Sequence, residues 1–251
     1  MSKVLVIPDI HLKPVIFDRA EKILASGQAD FAVQLGDLVD DWGEEFNYKL
    51  YERTIERAIK FHQKFPKTLW CMGNHDFGYY LPEYGRRETG HSRMQEDTMA
   101  KHIAEMIEAG VKQQTIHVVD NAIFSHAGLA DDWVATLTLD GTNYEMNDYI
   151  EVLANNSEPD LLWDENSPIW TRPQDTGELL FSDKMQVVGH TPVETIKFVD
   201  NLLSTDVFST YRNGAPFGER RFAIVDTVKM VWEYAKEVKN ENTRKQSKER
   251  R

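Results

Sequence analysis

Five apolar, strand-like runs end in carboxylate, imidazole or carboxamide side chains: Pro8-Asp9-Ile10-His11, Gly36-Asp37-Leu38-Val39-Asp40, Gly73-Asn74-His75-Asp76, Ser125-His126-Ala127-Gly128 and Gly189-His190-Thr191-Pro192. Such oxygen and nitrogen donors suit divalent cations like manganese, iron or zinc better than a thiolate-seeking metal. Singly, each has a plainer reading, since Asp and Asn serve turns and caps and a lone histidine is usually structural. Their joint recurrence argues otherwise. In open α/β architectures ligands bind beyond the carboxyl ends of the strands, and five such loops are placed to converge on one crevice.

Positioning those loops requires alternating elements. Lys3–Ile7 and residues 31–35 read as buried strands, and residues 16–25 between them carry apolar side chains at helical spacing, closed by Gly27. A second helix is predicted over 48–65, with Leu50, Ile55, Ala58, Ile59 and Phe65 on a broad face, and Pro66 ends it before a strand at 68–72. Helical spacing returns over 94–108. Residues 115–119 and Ala122–Ser125 then read as a hairpin around Asp120-Asn121. Residues 143–153 are predicted helical, and 155–183 form a long irregular connection beside the site. Short strands follow at Met185–Val188, 195–199, Leu202–Ser204, 222–225 and 228–234. Early alternation followed by late strands predicts an α/β fold of the α+β sandwich kind: two mixed β-sheets packed face to face, flanked by helices. One domain is expected over residues 1–235, with a basic, flexible tail at 236–251.

At 251 residues, 41% hydrophobic and 28% charged, the chain has the composition of a soluble globular protein. No apolar run approaches the length of a membrane span, and the segment before Pro8 is too short for a signal-peptide core, so a cytoplasmic location is expected. The single cysteine, Cys71, lies in an apolar run and reads as a buried, inert thiol. Residues 236–251 carry seven Lys or Arg against three Glu, a net +4 within a chain of −12, so the preceding 235 residues carry −16. A body that acidic disfavours long nucleic acid as a partner while leaving room for a local cationic phosphate site.

In their order, the motifs resemble the calcineurin-like metallophosphoesterase superfamily, whose pattern is Asp-x-His, Gly-Asp, Gly-Asn-His-Asp/Glu, His and Gly-His. The match runs from Asp9 to His190, about three quarters of the chain, and its details resemble most the phosphoprotein-phosphatase branch. The resemblance implies a helix-flanked β-sandwich in which Asp9 and His11 hold a first metal, Asp37 bridges both, and Asn74, His126 and His190 complete the second. It also implies that His75 protonates the leaving alkoxide while Asp40 orients it. Two cations about 3.5–4 Å apart need a shared carboxylate and make hydroxide available near neutral pH, which then attacks phosphorus in line. Manganese is the expected metal, with iron or zinc as alternatives.

Several positions depart from the family pattern. Asp41-Trp42-Gly43 stands where the phosphatase branch has Arg-Gly, Phe77-Gly78-Tyr79-Tyr80 follows Asp76 with no arginine in the next few positions, and Pro192 occupies the place of a second histidine found in another subset. Arg172 is the candidate replacement phosphate clamp. Trp42, Tyr79, Tyr80, Trp163 and Trp170 line a substrate cleft or, more plainly, pack in the core and rim. His62, His91, His102 and His117 read as structural. The expected activity is hydrolysis of phosphate monoesters, on a phosphoprotein, nucleotide or metabolite. Cleavage of a pyrophosphate bond in a dinucleoside polyphosphate, phosphodiester hydrolysis and a non-catalytic scaffold are the alternatives. Retention of all six ligand positions and of His75 favours catalysis over the scaffold.

Overall fold

The computed structural model describes residues 2–82, 90–137, 159–178, 180–181 and 183–238. Among these, one sheet has the order β11-β10-β1-β2-β3-β4, formed by β1 (Lys3–Ile7), β2 (Phe31–Gln34), β3 (Leu69–Cys71), β4 (Gln113–Gln114), β10 (Ala223–Asp226) and β11 (Val231–Tyr234). The other has the order β5-β6-β7-β9-β8, formed by β5 (Ile116–Val119), β6 (Ala122–Ser125), β7 (Met185–Val188), β8 (Lys197–Val199) and β9 (Leu202–Ser204). Both sheets are mixed: β1, β2 and β3 run parallel, as do β6, β7 and β9, while β10, β5 and β8 pair antiparallel with their neighbours. The sandwich expected from the element order is what the chain forms.

One apolar cluster joins the layers, with Val4, Val6 and Val33 of the first sheet and Phe124, Val187 and Leu203 of the second. Helices α1 (Val15–Ala25) and α2 (Tyr48–Lys64) add Phe17, Ile23, Ile55 and Phe61 to it. The predicted helix at 94–108 appears as a 3-10 turn, Arg93–Gln95, leading into α4 (Glu96–Glu108). Four short helices were not foreseen: α3 (Asn74–Tyr80), α5 (Asp131–Thr136), and, within the stretch read as irregular, α6 (Pro159–Leu162) and α7 (Pro173–Thr176). Strand β4 was also missed, because Gln113-Gln114 lacks the apolar signature of a strand; it pairs in parallel with Trp70 and Cys71, and the Gln113 side-chain amide adds a bond to the Cys71 carbonyl at 3.1 Å. The predicted helix at 143–153 and most of the basic tail lie outside the described residues. Among the described residues no helix is long and apolar enough to cross a membrane.

Parallel strands place their carboxyl ends on one side, and that is where the chemistry-bearing loops emerge. Cys71, at the end of β3, is fully buried, and burial pushes its thiol pKa up, as an inert core thiol requires. Beside it the Trp70 indole N–H donates to His62 Nδ1 at 3.1 Å, and His117 Nε2 donates to the Trp70 carbonyl at 2.9 Å. Burial lowers the pKa of both histidines, so the native state keeps them neutral where the unfolded chain takes up protons. Their contribution to stability is therefore constant above pH about 6.5 and declines as pH falls below it. Thermal unfolding of wild type and of a His62→Gln/His117→Gln variant is expected to show Tm values that drop less for the variant between pH 7 and pH 5. Parallel pH profiles would refute this account.

Candidate metal centre

Each predicted ligand loop follows a strand. Asp9 and His11 leave β1, Asp37 and Asp40 leave β2, Asn74 and His75 leave β3, His126 follows β6 and His190 follows β7. The loops are tied to one another by backbone bonds. Ile10 and His11 N–H both donate to the Asp37 carbonyl at 2.9 Å, and Gly189 N–H donates to the His126 carbonyl at 2.9 Å. His11, Asp37, Asp40 and His190 adopt left-handed backbone conformations, with φ of 41°, 51°, 63° and 61°. Non-glycine residues pay about 1–2 kcal/mol for such a conformation, which persists here because the surrounding hydrogen bonds over-determine it.

Two glycines of the motifs are explained by close approach. A methyl group on Gly73 would collide with the Asp37 carboxylate, and one on Gly189 with that of Asp9. Gly73→Ala and Gly189→Ala are accordingly expected to displace a candidate ligand and to weaken Mn2+ binding by about 10-fold or more. Wild-type affinity in a calorimetric titration of either variant would refute that.

Asp76 pins the loops from below. Its Oδ2 accepts the N–H groups of Asp37 at 2.9 Å and Gly73 at 3.0 Å and the Gln113 amide at 2.7 Å, and its Oδ1 accepts Leu38 N–H at 3.0 Å. Burial and the neighbouring Asp37 raise its pKa to about 6 in spite of those donors.

Three imidazoles are locked by backbone carbonyls. His11 Nδ1 donates to the Asp40 carbonyl at 2.8 Å, His126 Nδ1 to that of Leu35 at 2.8 Å, and His190 Nε2 to that of Trp170 at 3.1 Å. Each remaining nitrogen faces the centre. His11 Nε2 and His126 Nε2 lie 3.5 and 3.3 Å from Asp37 Oδ2, while His190 Nδ1 lies 3.1 Å from His126 Nε2. Asn74 Oδ1 stands 2.9 Å from His126 Nε2 and 3.0 Å from His190 Nδ1. Lone pairs so arranged repel one another unless a proton or cation lies among them. Burial would raise Asp37, but His126, His75 and His11 beside it hold its carboxyl well below the usual range. Burial would lower His126, but Asp37 and Asp9 hold it up to about 10, whereas burial and His126 push His190 well down.

Ligand atoms of Asp37, His126 and His190 lie within 4.8 Å of one another, as do those of His11, Asp37 and His75, so Asp37 belongs to both groups. Asp9 is in a second rank. Its Oδ2 is 3.9 Å from His11 Nε2 and accepts His190 N–H at 3.0 Å, while its buried Oδ1 has no hydrogen-bond partner. The carbonyl-locked imidazoles, the shared carboxylate and the orphaned Asp9 oxygen fit two divalent cations.

His75 Nδ1 is 3.1 Å from Asp40 Oδ2. Asp40 is fully buried, and its Oδ1 accepts the hydroxyls of Tyr51 and Tyr79, each at 2.7 Å. Tyr79 is thus a buried support. His91 stacks on it at 4.2 Å, with Nδ1 3.9 Å from Asp40 Oδ2, which brings a histidine read as structural to within one residue of the site. Asp41 is paired with Lys13 at 2.8 Å. Arg172 and Trp42 line the same cavity, of about 240 Å3, as His11, Asp37, Asn74, His75 and His190, and Arg172 Nη1 lies 3.4 Å from Thr191 Oγ1. Trp163 instead packs on Phe77, with ring centroids 6.3 Å apart.

A family model described as calcineurin-like phosphoesterase matches residues 2–217. Among solved structures, a protein serine/threonine phosphatase from Saccharomyces cerevisiae, with similarity to human phosphatase PP5, aligns at 12% identity and a TM-score of 0.56, covering 95% of this chain and 81% of that one. That likeness speaks to the fold. A metallophosphoesterase from Sphaerobacter thermophilus aligns at 15% identity with a TM-score of 0.41, over 99% of this chain and 93% of that one. No curated protein matches the chain in sequence.

Proposed function

Since this chain belongs to the calcineurin-like phosphoesterase family and is thereby a metal-dependent phosphoric ester hydrolase, we propose that its substrates are phosphate monoesters. The observation that carries this reading is the convergence of the His75–Asp40 pair and the Arg172 guanidinium on the cavity lined by His11, Asp37, Asn74 and His190. Divalent cations bound there, manganese in this reading, supply a water of lowered pKa and offset the charge of the phosphoryl oxygens.

The side chains do the rest. Arg172 offers planar N–H donors to a non-bridging phosphoryl oxygen, the role left open by Asp41, which Lys13 neutralises. His75 passes a proton to the leaving oxygen, and Asp40, held by two tyrosine hydroxyls, fixes the ring through Nδ1. Asn74, His126 and His190 would hold the second cation, and Asp9 and His11 the first, with Asp37 shared between them.

Metal-stripped protein resupplied with Mn2+ tests the reading on phenyl phosphate and bis(p-nitrophenyl) phosphate. Preferential hydrolysis of the monoester is expected, and preference for the diester would overturn it. Arg172→Ala is expected to lower kcat/KM for the monoester by about 10- to 100-fold through loss of a charged hydrogen bond. An unchanged value would remove Arg172 from the site. Cleavage of a pyrophosphate bond in a nucleotide is the second reading. It is favoured by Trp42 at the cavity rim, with the Arg212 guanidinium 5.4 Å over its ring, a surface on which a base can stack. Identification of the products of diadenosine tetraphosphate separates the two.

A further inference from the structure

Asp206 lies two residues beyond Ser204, the last residue of β9, as Asp9 lies two beyond β1 and His190 two beyond β7. Strand β9 runs parallel to β7, so its carboxyl end opens on the same side. The two loops are joined: Thr205 N–H donates to the Val188 carbonyl at 2.9 Å, and Val193 N–H to the Asp206 carbonyl at 2.9 Å. Asp206 is 1% exposed and lines the same cavity as His11 and Asp37. Its Oδ2 accepts the Ser209 hydroxyl at 2.6 Å, and its Oδ1, buried, has no hydrogen-bond partner. Lys13, whose charge acts on Asp206, already donates to Asp41 and to the His11 carbonyl.

An orphaned carboxylate oxygen beside Asp9 and Asp37 is expensive to bury unless a positive charge meets it. Pro192, two residues after His190, offers no donor there. Resting on the metal-dependent reading above, we propose that Asp206 supplies a further carboxylate to the cation position of Asp9, His11 and Asp37.

Calorimetric Mn2+ titration of metal-stripped protein, with electron paramagnetic resonance of the loaded protein, tests this on wild type, Asp206→Asn and Asp206→Ala. Wild type is expected to bind two Mn2+ with a spin-coupled signal. In Asp206→Asn one of the two affinities is expected to fall about 10- to 100-fold while the other is retained. Without metal, the Tm of Asp206→Asn is expected to equal or exceed that of wild type, because a neutral amide replaces a buried, uncompensated charge. Two unchanged Mn2+ affinities in the folded variant would overturn the assignment and leave the family reading intact. Loss of the fold in both variants would assign Asp206 to structure and overturn it equally. Failure of wild type to bind Mn2+ at all would instead overturn the manganese assignment, and this proposal with it.

Discussion

On the proposed shared-ligand assignment, Asp37→Asn is expected to lose at least one of two bound cations and to slow ester hydrolysis by about 10³-fold or more, because such a ligand couples both positions. Asp37 Oδ2 sits 3.5 Å from His11 Nε2 and 3.3 Å from His126 Nε2, and Oδ1 accepts His75 N–H at 2.9 Å. An amide preserves the shape and can keep the bond from His75. It removes the negative charge that, in the proposed arrangement, would hold two cations near each other, and turns N–H donors toward nitrogens that need a proton or a metal. Metal content after dialysis and initial rates with phenyl phosphate give the readout. A variant that retains two equivalents of metal and works within tenfold of wild type would refute the shared-ligand assignment. Circular dichroism checks that the loss is not one of folding.

His75→Ala is expected to cost about 10²- to 10⁴-fold on an alkyl phosphate such as phosphoserine, the usual contribution of a positioned general acid. On p-nitrophenyl phosphate, whose leaving group departs as an anion without help, the loss is expected to be within about tenfold. The contrast follows from geometry. With Nδ1 directed at Asp40 Oδ2, 3.1 Å away, the proposed acid is the ring's other nitrogen, and a group that acts by protonation matters in proportion to the basicity of what leaves. Equal losses on both esters would move His75 from acid to metal ligand, the place that its proximity to His11 and Asp37 also allows.

Much of the candidate site was legible because its donors are local in sequence. Pro8-Asp9-Ile10-His11 and Gly189-His190 carry their meaning within a few residues of a predicted strand end, and the same holds for Gly36-Asp37 and Gly73-Asn74. Their glycines, too, are fixed by short-range contact between neighbouring loops. What could not be read were the partners. Tyr51 lies on a helix whose apolar spacing says only that one face is buried, and nothing local shows that its hydroxyl meets Asp40 eleven residues earlier. Asp206 follows the predicted strand Leu202–Ser204 at the same offset as Asp9 and His190 follow theirs. Ser-Thr-Asp, however, is ordinary turn composition and gives no chemical signal by itself.

The amino-acid sequence by itself therefore determined the alternation of elements, the sandwich class, the order of the candidate ligands and the kind of ion they suit. Those depend on periodicity, turn chemistry and donor type, all properties of residues close together in the chain. Tertiary structure alone decided which ring nitrogen faces the centre, that four site residues bend into left-handed conformations, that Arg172 reaches the cavity, and that one carboxylate oxygen of Asp206 is buried there without a hydrogen-bond partner. These depend on where two sheets bring together segments up to about 200 residues apart, and on burial, which sets the cost of every charge left without a partner.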